Sequence, residues 1–223
     1  MQSIGAYKFI LDTLSFGYKI PIFREPRSVF LTNNRSALDY SDFVESAILE
    51  LLSVGSIVSC TFPPDVVNPL SVSVQSSGKK RLILDLRHAN FFVSNSAIKF
   101  DDDQSMLNFF IGESPSNSSA YSFDIKSGYQ YAQIYPSHQR FLGFSWVFHG
   151  VPKYFKFVAL PFGLNTGPYI FTIFVKHWRS QALHIVVYLD DGLGVCDTKQ
   201  NCLGHSLLVH SDLITSGFVP NKK

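Results

Sequence analysis

The sequence predicts an α+β fold in which antiparallel hairpins alternate with amphipathic helices. Three stretches, residues 70–87, 141–158 and 185–195, have the composition of paired strands around a turn. Residues 41–55 and 198–216 instead repeat apolar side chains at helical spacing. With 223 residues, 46% of them hydrophobic, the chain can bury a sizeable core in one domain or in two subdomains that share it.

Charge, cysteine usage and hydropathy exclude several classes of protein. The formal charge is only +2, so any basic footprint for nucleic acid must be local. Cys60, Cys196 and Cys202 lack metal-ligand spacing and fit a reducing environment. Because the chain shows neither a charged leader with an apolar run nor about 18 consecutive apolar residues, we expect no signal peptide and no membrane span. An intracellular location, in cytoplasm or nucleus, is therefore expected.

The first third of the chain predicts an extension, a helix and a hairpin. Residues 1–38 show no sustained period, which predicts an irregular N-terminal extension packed on the domain. The helix that follows has Ser41 as its N-cap and Gly55 as its C-terminal stop. One face of that helix carries Val44, Ala47, Ile48, Leu51 and Leu52.

The hairpin at 70–87 contains the densest basic cluster of the chain. Residues 70–74 alternate with period two, 75–78 form the turn, and 79–87 form the return strand. Lys79, Lys80 and Arg81 follow one another directly. This cluster fits either a charged edge strand that resists aggregation or a grip for phosphate groups.

Two acidic segments differ in their surroundings. The run at 101–103 precedes an apolar stretch, so its acids are expected near a helix N-terminus. Asp124 instead ends an aromatic strand, a position where catalytic groups often lie in sheet-based enzymes.

The last third predicts two further hairpins and two helices. Strands at 141–146 and 154–158 flank a turn at 149–152, and a helix runs from about 166 to 183. A last helix, 198–216, is expected to bury Leu203, Leu207 and Ile214. Between these two helices lies a hairpin with a tight Asp-Gly turn that carries Asp190 and Asp191.

Two adjacent carboxylates at a hairpin tip need an explanation. Two unit charges about 4 Å apart repel by roughly 4 kcal/mol at an effective dielectric constant of 20. The pair is tolerated if solvent screens both acids, if one acid is protonated, or if a divalent cation lies between them.

Four segments in order resemble the fingers and palm of retroelement reverse transcriptases, across about residues 40–223. They are LILDLRHAN at 82–90, DIKSGY at 124–129, LPFGL at 160–164 and YLDD at 188–191. The resemblance is closest to DIRS-type elements, with gypsy-type elements next. It implies a right-hand polymerase fold with an antiparallel palm sheet and helices packed on one face of that sheet.

The resemblance also implies a two-metal site and its ligands. Asp124 and Asp190 would be the main ligands, the carbonyl of Ile125 would assist them, and Asp191 would be a less direct third acid. The ions would be two Mg²⁺, with Mn²⁺ as a substitute.

A nucleotide-binding set follows from the same resemblance. Arg81, aided by Lys80 or Lys79, would hold the triphosphate of an incoming deoxynucleotide. Tyr129 would exclude a 2′-hydroxyl, and Phe162 and Gly163 would contact the nucleotide. Lys222 or Lys223 would donate a proton to pyrophosphate.

The expected domains are an N-terminal extension at 1–38, a fingers-like region at 39–118 and a palm at 119–223, with part of the fingers within 130–160. A thumb and a ribonuclease H domain would lie beyond Lys223, so we expect fingers and palm without a thumb. The implied partners are an RNA or DNA template with primer, deoxynucleoside triphosphates and the other polyprotein domains, including a recombinase or an integrase.

Three functions compete at this point. The first is an RNA-directed DNA polymerase segment of a retrotransposon polyprotein. The second is an inactive fragment or a domesticated nucleic-acid-binding remnant that lacks the thumb. The third, an RNA-templated RNA polymerase, is disfavoured because that class more often carries Gly-Asp-Asp than Tyr-Leu-Asp-Asp.

Overall fold

The structure is a computed structural model that describes residues 8–94, 118–124, 132–169, 177–181, 183–188 and 191–215. The helices among these residues are α1 (Lys8–Phe16), α2 (Arg35–Asp39), α3 (Ser41–Ser53), α4 (Arg87–Asn90) and α5 (Lys199–Thr215). The strands are β1 (Val29–Phe30), β2 (Ile57–Cys60), β3 (Val66–Val67), β4 (Leu70–Val74), β5 (Lys80–Leu84), β6 (Ser119–Asp124), β7 (Gly143–Phe148), β8 (Val151–Phe157), β9 (Ile185–Tyr188) and β10 (Asp191–Cys196).

The chain divides into two compact units, each assembled from separated stretches. The first unit combines 1–14, 96–131 and 168–223, and the second combines 15–95 and 132–167. Most of the predicted N-terminal extension therefore belongs to the second unit.

The second unit is built on a mixed five-stranded sheet in the order β1-β3-β7-β8-β2. The predicted hairpin of β7 and β8 is present, and a two-residue turn at His149 and Gly150 closes it with φ angles of 50° and 80°. Such left-handed pairs match the twist of antiparallel strands. Phe144 and Phe155 stack in the core with ring centroids 5.2 Å apart.

A separate two-stranded sheet, β4–β5, completes the second unit. Leu70, Val72 and Leu84 are buried on one face of this hairpin, the face that packs on α2 and α3. The predicted turn is present, with Gly78 at a φ of 80°. The return strand is shorter than expected: it ends at Leu84, and Arg87 begins α4 instead.

The helix α3 ends as its sequence predicts and begins differently. Gly55 adopts a φ of 72°, and the N–H groups of Gly55 and Ser56 donate to the carbonyls of Leu52 and Leu51. This pattern is a Schellman motif, which satisfies carbonyls that the helix end leaves free. The N-cap assignment of Ser41 was wrong, because Ser41 is already helical and α2 precedes it by a single residue.

The first unit holds a three-stranded antiparallel sheet in the order β6-β10-β9. Helix α5 packs on one face of β6 and β10, and helical residues 177–180 contribute Trp178 to the same face. The fold prediction of an antiparallel sheet with helices on one face is confirmed.

Four expectations about helices differ from the structure or lie wholly or partly outside it. Residues 8–16 form a helix where none was predicted. Helix α5 is present, but it buries Cys202, Val209 and Leu213, whereas Leu203, Leu207 and Ile214 are exposed. The acidic run at 101–103 and residues 170–176 of the helix predicted at 166–183 lie outside the described residues. Nowhere in the described part of the chain is a helix long and apolar enough to cross a bilayer.

Two glycine substitutions are expected to change stability in opposite directions. A Cβ at Gly143 would lie 2.5 Å from Pro64 Cβ and 2.7 Å from the Val66 carbonyl oxygen, so Gly143→Ala should destabilise the protein by about 1–3 kcal/mol through overpacking. A Cβ at Gly204 in α5 meets nothing within 4 Å, so Gly204→Ala should stabilise it by about 0.5–1 kcal/mol. Urea unfolding measures both variants, and a Gly143→Ala protein as stable as its parent would contradict the packing described here.

Candidate active site

Two of the predicted catalytic acids are direct neighbours across adjacent strands. Asp124 ends β6, and the strand register pairs it with Asp191, the first residue of β10. Residues directly opposite in an antiparallel pair share a face, with Cβ atoms about 4.5–5.5 Å apart. Asp191 and Ser122, which share this face, are both exposed. The two carboxylates therefore lie side by side at the exposed end of this face, which is buried further along at Val186 and Val195.

The opposite face of the same strands is occupied by aromatic rings. Phe123 pairs with Gly192 and Tyr121 pairs with Gly194. A Cβ at Gly192 would lie 2.0 Å from Phe123 Cζ, and a Cβ at Gly194 would lie 2.2 Å from the Tyr121 ring. The rings thus lie directly against the β10 backbone, which requires glycine at both positions. Burial raises the pKa of the Tyr121 hydroxyl, so this ring stays neutral.

This packing corrects the predicted turn. The hairpin was expected to turn at Asp191-Gly192, but both residues lie within β10, where Asp191 pairs with Tyr188 and Gly192 with Val187. Gly192 is needed for clearance of the Phe123 ring and not for a left-handed turn. Residues 189–190, between the two strands, lie outside the described residues.

The carboxylate pair has the chemistry that a divalent cation requires. Like charges directly opposite in a sheet destabilise the pair, and a cation that prefers oxygen ligands converts this repulsion into coordination. In the described ranges, no group of three or more His, Cys, Asp or Glu side chains converges. Asp124 and Asp191 therefore fit as two ligands of a site whose third predicted acid, Asp190, is outside the described residues.

The predicted nucleotide contacts in the second unit divide between two faces of the β4–β5 hairpin. Because side chains alternate along a strand, Lys80 and Arg81 point to opposite faces. The Lys80 ammonium lies 4.8 Å from the Tyr40 ring centroid and 6.0 Å from that of Phe43. Arg81 is exposed and shares its face with Ile83.

The segment that contains Phe162 and Gly163 packs against the end of β5 at Leu84. A Cβ at Gly163, where φ is 108°, would lie 2.5 Å from the Leu84 carbonyl oxygen and 4.0 Å from the Ile83 side chain. Asn90 donates to the Gly163 carbonyl at 2.8 Å and accepts from the Asn165 N–H at 3.2 Å. Phe162 is 54% exposed.

Asn90 is a residue to which the sequence assigned no role, although it closes the segment that resembles the fingers strand. Its amide satisfies the Gly163 carbonyl and the Asn165 N–H. Asn90 thus helps to hold Gly163 beside Ile83, on the face of β5 that also carries Arg81.

Hydrogen bonds to Asp85 connect the residues after β5 to the start of α4 and to Asn34. Asp85 accepts hydrogen bonds from Arg87 Nε at 2.9 Å and Nη2 at 2.6 Å, and from Asn34 Nδ2 at 3.1 Å. The Arg87 guanidinium, by these bonds, lowers the pKa of the Asp85 carboxyl, while burial opposes the shift and Asn34 adds to it. Asp85 is only 12% exposed, so its charge depends on these donors.

The remaining predicted site residues are not placed. Ile125, Tyr129, Asp190, Lys222 and Lys223 lie outside the described residues. Their roles stay predictions, as does the division into regions at 38 and 118.

The antiparallel sheet with helices on one face is consistent with the fingers and palm of a right-hand polymerase. Residues 72–223 match the family model of the reverse transcriptase (RNA-dependent DNA polymerase). The match covers more than half of the chain, so the chain belongs to the reverse transcriptase family. Divalent metal ions are general cofactors of this family.

Viral proteins are among the relatives. The genome polyproteins of two isolates of Petunia vein clearing virus are 26% identical over 132 residues, which are 58% of this chain and 6% of each polyprotein. The chain thus spans a small fraction of these relatives. They support a reverse transcriptase segment of a polyprotein and do not distinguish DIRS-type from gypsy-type elements.

Solved structures of foamy virus enzymes share the fold. The prototype foamy virus protease–reverse transcriptase (CSH mutant) gives a TM-score of 0.69 at 21% identity, over 92% of this chain and 26% of that one. The foamy viral enzyme in complex with an RNA/DNA hybrid gives 0.69 at 20% identity, over the same shares. The complex with double-stranded DNA gives 0.67 at 21% identity, over 93% of this chain and 40% of that one.

The Asp85–Arg87 pair predicts a particular acid sensitivity. Because the folded-state pKa of Asp85 is lowered, its contribution to stability is present above the unfolded-state pKa and is lost as pH falls from about 5 through the folded-state value. Arg87→Gln removes this contribution, so the free energy of unfolding of the variant should fall less steeply with acid. Urea unfolding at a series of pH values measures the slope.

The matched control for this experiment is Arg35→Gln. Arg35 and Asp39 form an ion pair at 3.8 Å whose side chains are 92% and 59% exposed. Exposed pairs of this kind contribute little, so the control should follow the parent. Equal slopes for Arg87→Gln and the parent would show that Arg87 does not hold the pKa of Asp85 down.

Proposed function

We propose that this chain is the polymerase segment of a retroelement polyprotein and adds deoxynucleotides to a primer on an RNA template. The observation that carries the proposal is the direct pairing of Asp124 with Asp191 across two strands, where Asp191 is exposed. Carboxylates so placed serve a reaction at phosphate oxygens, since they hold cations close to a surface that nucleic acid can reach.

The proposed metal ligands in the first unit are carboxylates on two strands. Asp124 and Asp191 would hold two Mg²⁺ ions together with Asp190 and the Ile125 carbonyl. When bound, such ions stabilise the attacking primer hydroxyl and the leaving pyrophosphate. The sheet holds the two strand-borne carboxylates in fixed register, so their oxygen atoms need little reorganisation before the reaction.

In the second unit, the contacts of β5 favour Arg81 over Lys80 as the proposed triphosphate contact. Arg81 is exposed on the face of Ile83, beside which Gly163 lies, whereas the Lys80 ammonium is engaged with Tyr40. A guanidinium also binds phosphate oxygens through two parallel hydrogen bonds. Phe162 would pack on the nucleotide, Tyr129 would exclude a 2′-hydroxyl, and Lys222 or Lys223 would protonate pyrophosphate.

The wider setting follows from the motifs and the relatives. The DIRS-like form of 82–90 and 160–164 supports a DIRS-type retrotransposon as the source, acting inside the cell. The foamy viral relative binds double-stranded DNA and an RNA/DNA hybrid, which supports a template–primer as the partner here. Other polyprotein domains, a thumb and ribonuclease H among them, would act with this segment.

Primer extension tests the proposed function. With an RNA template, Mg²⁺ and deoxynucleotides, Asp124→Asn should slow extension by about 10²-fold or more, because it removes a ligand of the charge-stabilising ions. The assay compares the parent with the variant, both in this chain and in a form extended through the downstream polyprotein.

The control variant is Asp42→Asn, which changes an exposed acid on α3 and should extend at the parental rate. Equal extension by the parent and Asp124→Asn would reject the metal assignment. Template–primer binding without extension by either length would instead favour the inactive nucleic-acid-binding remnant.

The two neighbouring cations of β5 are expected to behave differently. Arg81→Ala should raise the KM for deoxynucleotides about tenfold or more, since a hydrogen bond to a charged group contributes about 1.5–3 kcal/mol. Lys80→Ala should leave KM unchanged and cost about 0.5–1 kcal/mol of stability, the range of an exposed cation–π contact. Steady-state kinetics and urea unfolding separate these outcomes, and a matching rise in KM for Lys80→Ala would contradict the division of faces.

A further inference from the structure

A buried acid lies beneath the sheet, on the side away from the carboxylate pair. Asp212 belongs to the buried face of α5 and is 8% exposed. Its Oδ2 accepts a hydrogen bond from Trp178 Nε1 at 3.0 Å. A buried carboxylate whose partner is a neutral donor is costly, and well-packed apolar residues at such positions are often as stable or more stable. Packing alone therefore does not account for an acid here.

The hydrogen bond fixes a ring that touches the catalytic strands. Trp178 is 1% exposed, and its ring meets that of Phe123 edge to face, with centroids 5.5 Å apart at 80°. The Phe123 ring in turn lies against the backbone of Gly192. A continuous series of contacts thus runs from Asp212 through Trp178 and Phe123 to β10.

This series ends at the two positions adjacent to the acids. Phe123 precedes Asp124, Gly192 follows Asp191, and the register pairs Phe123 with Gly192 just as it pairs the acids. A slip of one residue in the register between β6 and β10 would turn every side chain to the other face. The contact of Phe123 with Gly192 and the pairing of Asp124 with Asp191 therefore require the same register.

We propose that Asp212 and Trp178 are positioning residues for the carboxylate pair. The Asp212 carboxylate orients the indole, the indole ring holds the Phe123 ring against Gly192, and this contact keeps Asp124 and Asp191 opposite each other. The inference rests on the proposed function, because it concerns the spacing of that site's metal ligands.

The decisive variant is Trp178→Phe combined with Asp212→Leu. It removes the hydrogen bond from both sides, leaves no orphaned polar group and keeps the interior apolar, so the protein should unfold at a urea concentration close to the parental value. Asp212→Asn is the conservative variant, since it keeps an oxygen acceptor for the indole N–H. Asp42→Leu, which removes an exposed acid from α3, is the matched control.

Mn²⁺ affinity, followed by electron paramagnetic resonance, is the first readout. The parent should bind Mn²⁺, Asp124→Asn should lose that binding, and the double variant should bind about tenfold more weakly, the scale of residues that orient metal ligands. Asp212→Asn and Asp42→Leu should bind as the parent does. Parental affinity in a folded double variant would overturn the proposal.

Hydrogen exchange is a second readout that needs no metal. The amides of 122–124 and 191–193 should exchange faster in the double variant, while those of the β4–β5 hairpin should not change. If the parent fails to bind Mn²⁺, the metal assignment in the proposed function fails, and the exchange result decides the positioning role by itself. Unchanged exchange at both strands would overturn that role.

Discussion

The contact of two aromatic rings with a glycine backbone is the constraint on which the three-stranded sheet depends. Phe123 and Tyr121 occupy space that a Cβ on Gly192 or Gly194 would fill. The rings therefore cover one face of β10 and bury apolar area there, while Ser122 and Asp124 lie on the opposite face. The position of the acid pair is thus a consequence of packing on the opposite face.

In the second unit, polar side chains hold a functional segment in place. The segment at 160–165 is irregular and belongs to no strand. The amide of Asn90 satisfies two of its backbone groups, and the tight approach of Gly163 to the Leu84 carbonyl brings the segment against β5. Asp85, which directly follows β5, and Arg87, which begins α4, form short charge-assisted hydrogen bonds with each other. Both units therefore hold functional side chains on short strands whose ends are fixed by specific contacts.

Sequence patterns predicted the hairpins better than they predicted which side of an element is buried. Alternation at 70–74 and the apolar residues around Asp190 and Asp191 located real strands, and the family resemblance predicted that Asp124 and Asp190 act together, with Asp191 as a third acid. The buried face of α5 was predicted wrongly because both faces of the helix carry apolar residues. Its packing on the sheet buries Cys202, Val209 and Leu213 and leaves the second apolar set exposed, namely Leu203, Leu207 and Ile214. Gly192 was misread as a turn residue because a glycine required for ring clearance cannot be distinguished, in a sequence, from one required for a left-handed φ.

The strand order has a consequence for the synthesis of the chain. The central strand β10 separates β6 from β9, and the partner of Asp124 lies 67 residues later in the chain. At roughly 5–20 residues per second, a ribosome needs about 3 to 13 seconds to deliver it. During that interval β6 lacks its neighbour, whereas the hairpins β4–β5 and β7–β8 join strands adjacent in sequence and close without waiting. The sheet that carries the acids is therefore the late-folding part of the nascent protein.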